Sequence, residues 1–174
     1  MDLLPDIDSV LRLLAATLLA GAIGIGPELR DKPAGLRTHM LTGLAAALFT
    51  LITFAIREKA LSGEPVFGAD PIRIIEAVTA GVAFLASGMI IASRRDVAGL
   101  TTGAGMWLAG AIGVACGAGL YALAFVSTAL AIAIAVLVRY FEKHVLATKP
   151  PQDAPPGTLA DSGASRAPSD RLPR

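Results

Sequence analysis

The chain has 174 residues and a net charge of +1, with 54% hydrophobic and only 17% charged residues. A soluble domain carries roughly 25% charged residues; here the charges cluster and leave long runs with none. That pattern excludes an ordinary soluble domain, fits helices in lipid, and leaves no basic footprint for nucleic acid.

The start, Met1 to Asp8, is acidic. It lacks the basic segment and small-residue cleavage site of a secretory signal, so the first apolar run is expected to stay as an anchor. Five apolar segments follow: Ser9–Ile25, Thr38–Ile56, Ile72–Ala92, Leu100–Gly117 and Leu120–Val138. At about 1.5 Å per residue each can cross a hydrocarbon core of about 30 Å. Thr101 to Val138 holds no charge, and as one helix it would run about 57 Å, too long for a bilayer. Gly117-Ala118-Gly119 supplies a break, since Gly is a poor helix former and a good C-cap. The lone cysteine, Cys116, rules out a disulfide framework and reads as a small packing residue.

The predicted fold class is therefore all-α: a polytopic membrane bundle of five transmembrane helices, residues 1–147, followed by a tail, residues 148–174. Six of the eleven prolines fall in that tail, at Pro150, Pro151, Pro155, Pro156, Pro168 and Pro173. With little apolar content it is expected to stay disordered. Lys and Arg near helix ends set orientation. Arg30, Lys32, Arg37, Arg94, Arg95, Arg139, Lys143 and Lys149 fall on one side, against Arg57, Lys59 and Arg73, with Arg12, on the other. The N-terminus is expected outside and the C-terminus in the cytoplasm.

Two polar turns share wording. Arg30-Asp31-Lys32-Pro33-Ala34-Gly35-Leu36-Arg37-Thr38 overlays Arg95-Asp96-Val97-Ala98-Gly99-Leu100-Thr101-Thr102 with a one-residue gap. This reads as a parallel two-helix internal repeat, unless it is a coincidence between Gly/Ala-rich turns. If real, the turns lie side by side at the cytoplasmic face, with Gly35 and Gly99 giving tight geometry and Thr38 and Thr102 capping the following helices. Small residues recur at four-residue spacing as Ala16, Ala20, Gly24 and as Gly105, Ala109, Gly113, Gly117. Such rows mark contact faces, most simply within one protomer, alternatively along a homo-oligomer seam.

Chemistry-bearing residues concentrate in these turns: Glu28, Arg30, Arg37, Thr38, Asp96, Thr101 and Thr102, with Gly35 and Gly99 shaping the backbone. Carboxylates with water can hold Mg²⁺, but the many basic neighbours favour a salt-bridged cap facing anionic headgroups. His39 reads as a capping or hydrogen-bonding group rather than a metal ligand. Arg73 and Glu76 read as an interfacial pair that Arg12 can join. Met40, Phe49, Phe54, Phe84, Met89 and Trp107 read as packing or lipid-facing residues. No catalytic motif, metal-ligand spacing or cofactor loop is present, so no catalytic residue, metal or cofactor is expected.

Gly21-Ala22-Ile23-Gly24, Arg30 to Leu41, Phe84 to Ile90, Val97 to Thr102, Trp107 and Ile112-Gly113 resemble the MgtC/SapB family over about residues 10–140. The resemblance implies a bacterial inner-membrane protein with several spanning helices and a role in adaptation to low Mg²⁺ or acid stress, virulence-associated in some relatives. It implies regulation of other membrane proteins, the F-type ATP synthase among them; magnesium transport is the alternative. Where the family has Glu-Arg after the first helix's Ile-Gly, this chain has Gly26-Pro27, with Glu28 the nearest acid. Ala86-Ser87 replaces Gly-Ala, and Ala98 replaces the Arg before Gly-Leu. Asp96 falls where some members carry a polar residue important for virulence. The Pro-rich tail stands where many members carry a folded cytoplasmic domain. The reading that results is a non-enzymatic multi-pass membrane regulator working through helix packing and the cytoplasmic turns.

Overall fold

Asp6 starts the first helix: its carboxylate accepts the Ser9 N–H at 3.3 Å as an N-cap, and hydrogen bonding with the Ser9 side chain, with this N–H beside it, holds the carboxyl below the usual carboxylate range. The structure is a computed structural model that describes residues 6–32, 34–62, 70–92 and 98–145. It contains α1 (Ile7–Glu28), α2 (Leu36–Leu61), α3 (Pro71–Ala92), α4 (Ala98–Gly117) and α5 (Tyr121–Val145). All five are long and apolar enough to span a membrane, so the described residues form an all-α, five-helix membrane bundle. Their outward faces are apolar, with Leu18, Phe49, Phe84, Trp107 and Phe125 all exposed. In water this would be a liability; in lipid it is the solvated face. The Pro-rich tail and Asp96 lie outside the described residues.

Two hairpins use one device. At the end of α1 the Lys32 N–H bonds to the Pro27 carbonyl and the Asp31 N–H to the Glu28 carbonyl. At the end of α4 the Leu120 N–H bonds to the Ala115 carbonyl and the Gly119 N–H to the Cys116 carbonyl. Both are Schellman endings, which need a left-handed residue at the turn. Gly119 fills that place at φ 78°, and Asp31 does so at φ 50° despite its side chain. The break expected at Gly117–Gly119 is thus present, and α4 and α5 are separate helices.

The core is the seam where α1, α2 and α4 meet. Ala16, Ala47, Ile112, Cys116 and Ala124 form its buried cluster, so α5 joins through Ala124. Both small-residue rows lie in the seam: Ala16, Ala20 and Gly24 on α1, and Ala109, Gly113 and Gly117 on α4, are buried within the one chain. A Cβ at Gly43 would come within 2.5 Å of the Ala20 Cβ and 2.9 Å of the Ala16 carbonyl oxygen. A Cβ at Gly113 would overlap the Gly43 carbonyl oxygen. Helices this close gain dispersion contacts, the main attraction available where lipid is as apolar as the side chains. α3 leans on α4 through Val82 and Ala86, and Ala34 joins Val82 and Met106 in a second buried cluster. Thr42, Thr50, Thr53 and Thr128 are buried but donate to carbonyls one turn back, so their hydroxyls are satisfied inside their own helices.

The chain divides into two units, Met1–Arg139 and Tyr140–Arg174. Within the second, described as far as Val145, the Tyr140 ring stacks on His144 with centroids 4.2 Å apart. Everything else described belongs to the first.

Candidate functional site

The α1–α2 turn is built around Glu28. As the last residue of α1 it reaches across the turn, and its carboxylate accepts the Leu36 N–H at 2.8 Å. This supplies from outside the helix the N-cap that Gly35, the residue in the cap position, cannot provide. The negative charge also meets the positive end of the α2 dipole. Gly35 leaves the space this cap needs: a Cβ would collide with the Glu28 carboxylate and displace it from the Leu36 N–H. Pro27 sits inside the last turn of α1 and has no N–H to give the carbonyl one turn back, and the Arg30 side chain covers the Gly26 carbonyl, with Nε 2.8 Å away. Two of the turn's charges, Glu28 and Arg30, are therefore held on backbone groups. In this turn no ion pair forms among the described residues, because an unpaired helix terminus outcompetes an exposed ion pair; the second turn's Arg94, Arg95 and Asp96 lie outside the described residues.

Thr38 and Thr102 are not caps. α2 begins at Leu36 and α4 at Ala98, so both threonines lie inside their helices. Thr38 offers its carbonyl to the Thr42 hydroxyl at 2.8 Å. The sequence overlay aligned the turns, but helix starts follow the available caps, and Glu28 provides one earlier.

Behind the turn lies His39, fully buried between α1, α2 and α4. Its Nδ1 is 2.8 Å from the Gly35 carbonyl oxygen. A carbonyl can only accept, so Nδ1 carries the hydrogen and Nε2 of the neutral ring is a bare lone pair. Nε2 is buried and has no hydrogen-bond partner. It faces Gly105 of α4, where a Cβ would stand 3.2 Å away. Gly24 of α1 completes the enclosure: a Cβ there would be 3.0 Å from both the Gly35 carbonyl oxygen and the His39 Cβ. Gly24 and Gly105 are thus the close approaches that admit an imidazole, and Gly35 supplies the carbonyl it is bonded to.

At the opposite end of the seam Arg12 pairs with Asp8 and donates through a terminal guanidinium nitrogen to the Gly117 carbonyl at 3.0 Å. It closes the C-terminus of α4 and packs beside Gly119. The Arg73–Glu76 pair that Arg12 was expected to join is absent among the described residues: both side chains are exposed, and the Arg12 guanidinium is held by Asp8 and the Gly117 carbonyl.

The predicted site residues therefore separate. Glu28, Arg30 and Gly35 come together in one turn. Arg37 and Thr101 are exposed, while Gly99 and Thr102 are buried in the first turns of α4. Ala34 links the first turn to α4 through Met106. Asp96 cannot be placed, since it is outside the described residues. The buried face of α2 was missed: His39, Gly43, Ala47 and Thr50, with Thr42, Ala46 and Thr53. Its signal was available as small and hydroxyl residues three and four apart, hidden among larger apolar neighbours. Among the described residues no three His, Cys, Asp or Glu side chains gather as a metal site. A cavity of about 400 Å³ beside α3 and α4 is lined mainly by apolar residues such as Val78, Val82, Trp107, Val114 and Leu123, with Thr79 among them.

A family model described as the MgtC family matches residues 13–144. Over 114 residues the chain is 41% identical to "Putative magnesium transporter YhiD" of Escherichia coli (strain K12), covering 66% of this chain and 53% of that protein. It is 38% identical over 127 residues to Protein MgtC of Brucella abortus (strain 2308), covering 73% and 50% respectively. With Protein SapB of Bacillus subtilis (strain 168) it shares 36% identity over 126 residues, covering 70% and 53%. The chain spans about half the length of the curated relatives it matches. No solved structure matches.

Proposed function

The chain belongs to the MgtC family, and from that premise we propose that it is a multi-pass inner-membrane protein that regulates partner membrane proteins during adaptation to low magnesium or acid stress. The observation that carries this reading is the seam itself. Backbone meets backbone at Gly43 and Gly113, and the buried threonine hydroxyls are turned onto their own helices. Such an interior favours a rigid packing unit over a hydrated cation path, because Mg²⁺ demands oxygen ligands and keeps several waters. The charged α1–α2 turn is then the surface through which a partner such as the F-type ATP synthase is met. The Lys and Arg distribution supports an N-terminus outside and a C-terminus in the cytoplasm.

Magnesium transport is the second reading, favoured by the name of the E. coli K12 relative. Purified protein in liposomes loaded with a Mg²⁺-sensitive dye separates the two. The regulatory reading expects no flux above that of empty liposomes. Reproducible flux that Glu28→Gln or Asp96→Asn abolishes would replace regulation with transport.

A further inference from the structure

We propose that Nε2 of His39 is a proton-binding site, and that a proton taken up there loosens the contact between α2 and α4. The geometry leaves this nitrogen little else to bind. It is a lone pair, since the Nδ1 hydrogen is committed to the Gly35 carbonyl at 2.8 Å. It is buried and unpartnered, facing the Gly105 backbone. A metal ion would need further ligands, and among the described residues no cluster of metal-ligating side chains supplies them. A proton needs only the lone pair. Gly105 is the thin side of the enclosure: it has no side chain and is itself only partly buried.

The consequence follows from the hydrogen-bond inventory. The proton comes from water and goes onto Nε2, while Nδ1–H stays on the Gly35 carbonyl. The ring becomes a cation with a second N–H pointing at Gly105, where no acceptor is in place. An unsatisfied buried donor is costly, and more so when charged. α4 must then move to admit a water or present a carbonyl. The ionisable groups around the ring are few. From α1, the Glu28 carboxylate sits on the Leu36 N–H and Arg30 on the Gly26 carbonyl. From α2, Arg37 is exposed, and α4 carries no Asp, Glu, Lys, Arg or His. Arg94, Arg95 and Asp96, which precede α4 in the chain, lie outside the described residues.

The chain suits a direct test because it has two histidines and one tryptophan. The full chain, labelled with ¹⁵N-histidine in lipid nanodiscs, gives two imidazoles, and His144→Gln assigns them. His39 is expected as the Nδ1–H tautomer at pH 7.5 and as imidazolium by pH 4.5. Trp107, two residues beyond Gly105, is expected to change its emission over the same interval. That change should persist in His144→Gln and vanish in His39→Gln. Should His39→Gln fail to fold, Gly105→Ala serves instead: its methyl occupies the space the new N–H needs, so the Trp107 change then requires a more acidic pH. An Nε2–H tautomer at pH 7.5, imidazole signals unchanged down to pH 4.5, a Trp107 change that survives His39→Gln, or one that Gly105→Ala leaves in place would each overturn the proposal.

Discussion

Glycine means opposite things in two regions of this molecule. In the seam of α1, α2 and α4, a Cβ at Gly43 or Gly113 has no room: the Ala20 Cβ and Ala16 carbonyl of α1 stand in the way of the first, and the Gly43 carbonyl in the way of the second. On α3, a Cβ at Gly81 or Gly88 would meet nothing within 4 Å. The residue type and the apolar setting are the same; only the neighbours differ. Where lipid is as apolar as a side chain, helices cohere by close approach, so a glycine's worth is decided by what lies across from it.

The largest effect should come from testing that contrast directly. Gly43→Leu should cost about 3 kcal/mol, seen as a lower apparent melting temperature in detergent, whereas Gly81→Leu should stay within about 0.5 kcal/mol. Equal melting temperatures would erase the distinction between the two regions. A middle-sized effect is expected at the turn that closes the seam. Glu28→Ala removes the carboxylate from the Leu36 N–H and should cost about 1 kcal/mol, with faster amide exchange at Leu36 and unchanged exchange along α3. Protection at Leu36 that survives the substitution would show the cap to be dispensable.

The smallest effect lies outside the seam altogether. Hydrogen bonding with Ser9, through its side chain first and its backbone N–H after it, holds the Asp6 carboxyl below its ordinary value. A lowered folded-state pKa contributes stability that is present above the unfolded value and lost as pH falls through the folded one. Acidification should therefore fray the first turn of α1, read as faster exchange at Ser9. Asp6→Asn keeps an acceptor and should remove the pH dependence; fraying that stays pH-dependent in that variant would assign it to another group.

Much of the seam was legible in the residues. The rows through Ala16 and Gly113 announced buried faces because four-residue spacing places side chains on one side of a helix. Gly117–Gly119 announced a hairpin because an uncharged run of that length cannot cross a bilayer once. The matching face of α2 escaped notice, since His39, Gly43 and Ala47 alternate with Leu44, Leu48 and Phe49 and no uniform small row stands out. The turn chemistry was legible as a concentration of charge but not as a set of bonds. Thr38 looked like a cap until Glu28 proved to hold that role from the other helix.

The number of helices, their approximate ends and the family were determined by the sequence alone. Hydropathy, length and turn residues act locally, and a spanning helix must satisfy its backbone within itself. Only the tertiary structure decided which carbonyl Arg12 covers, 105 positions away at Gly117, and which nitrogen of His39 is left bare. Those outcomes depend on how closely separate helices approach. That distance is set by pairs of small residues facing each other across the seam, a relation that no single stretch of chain contains.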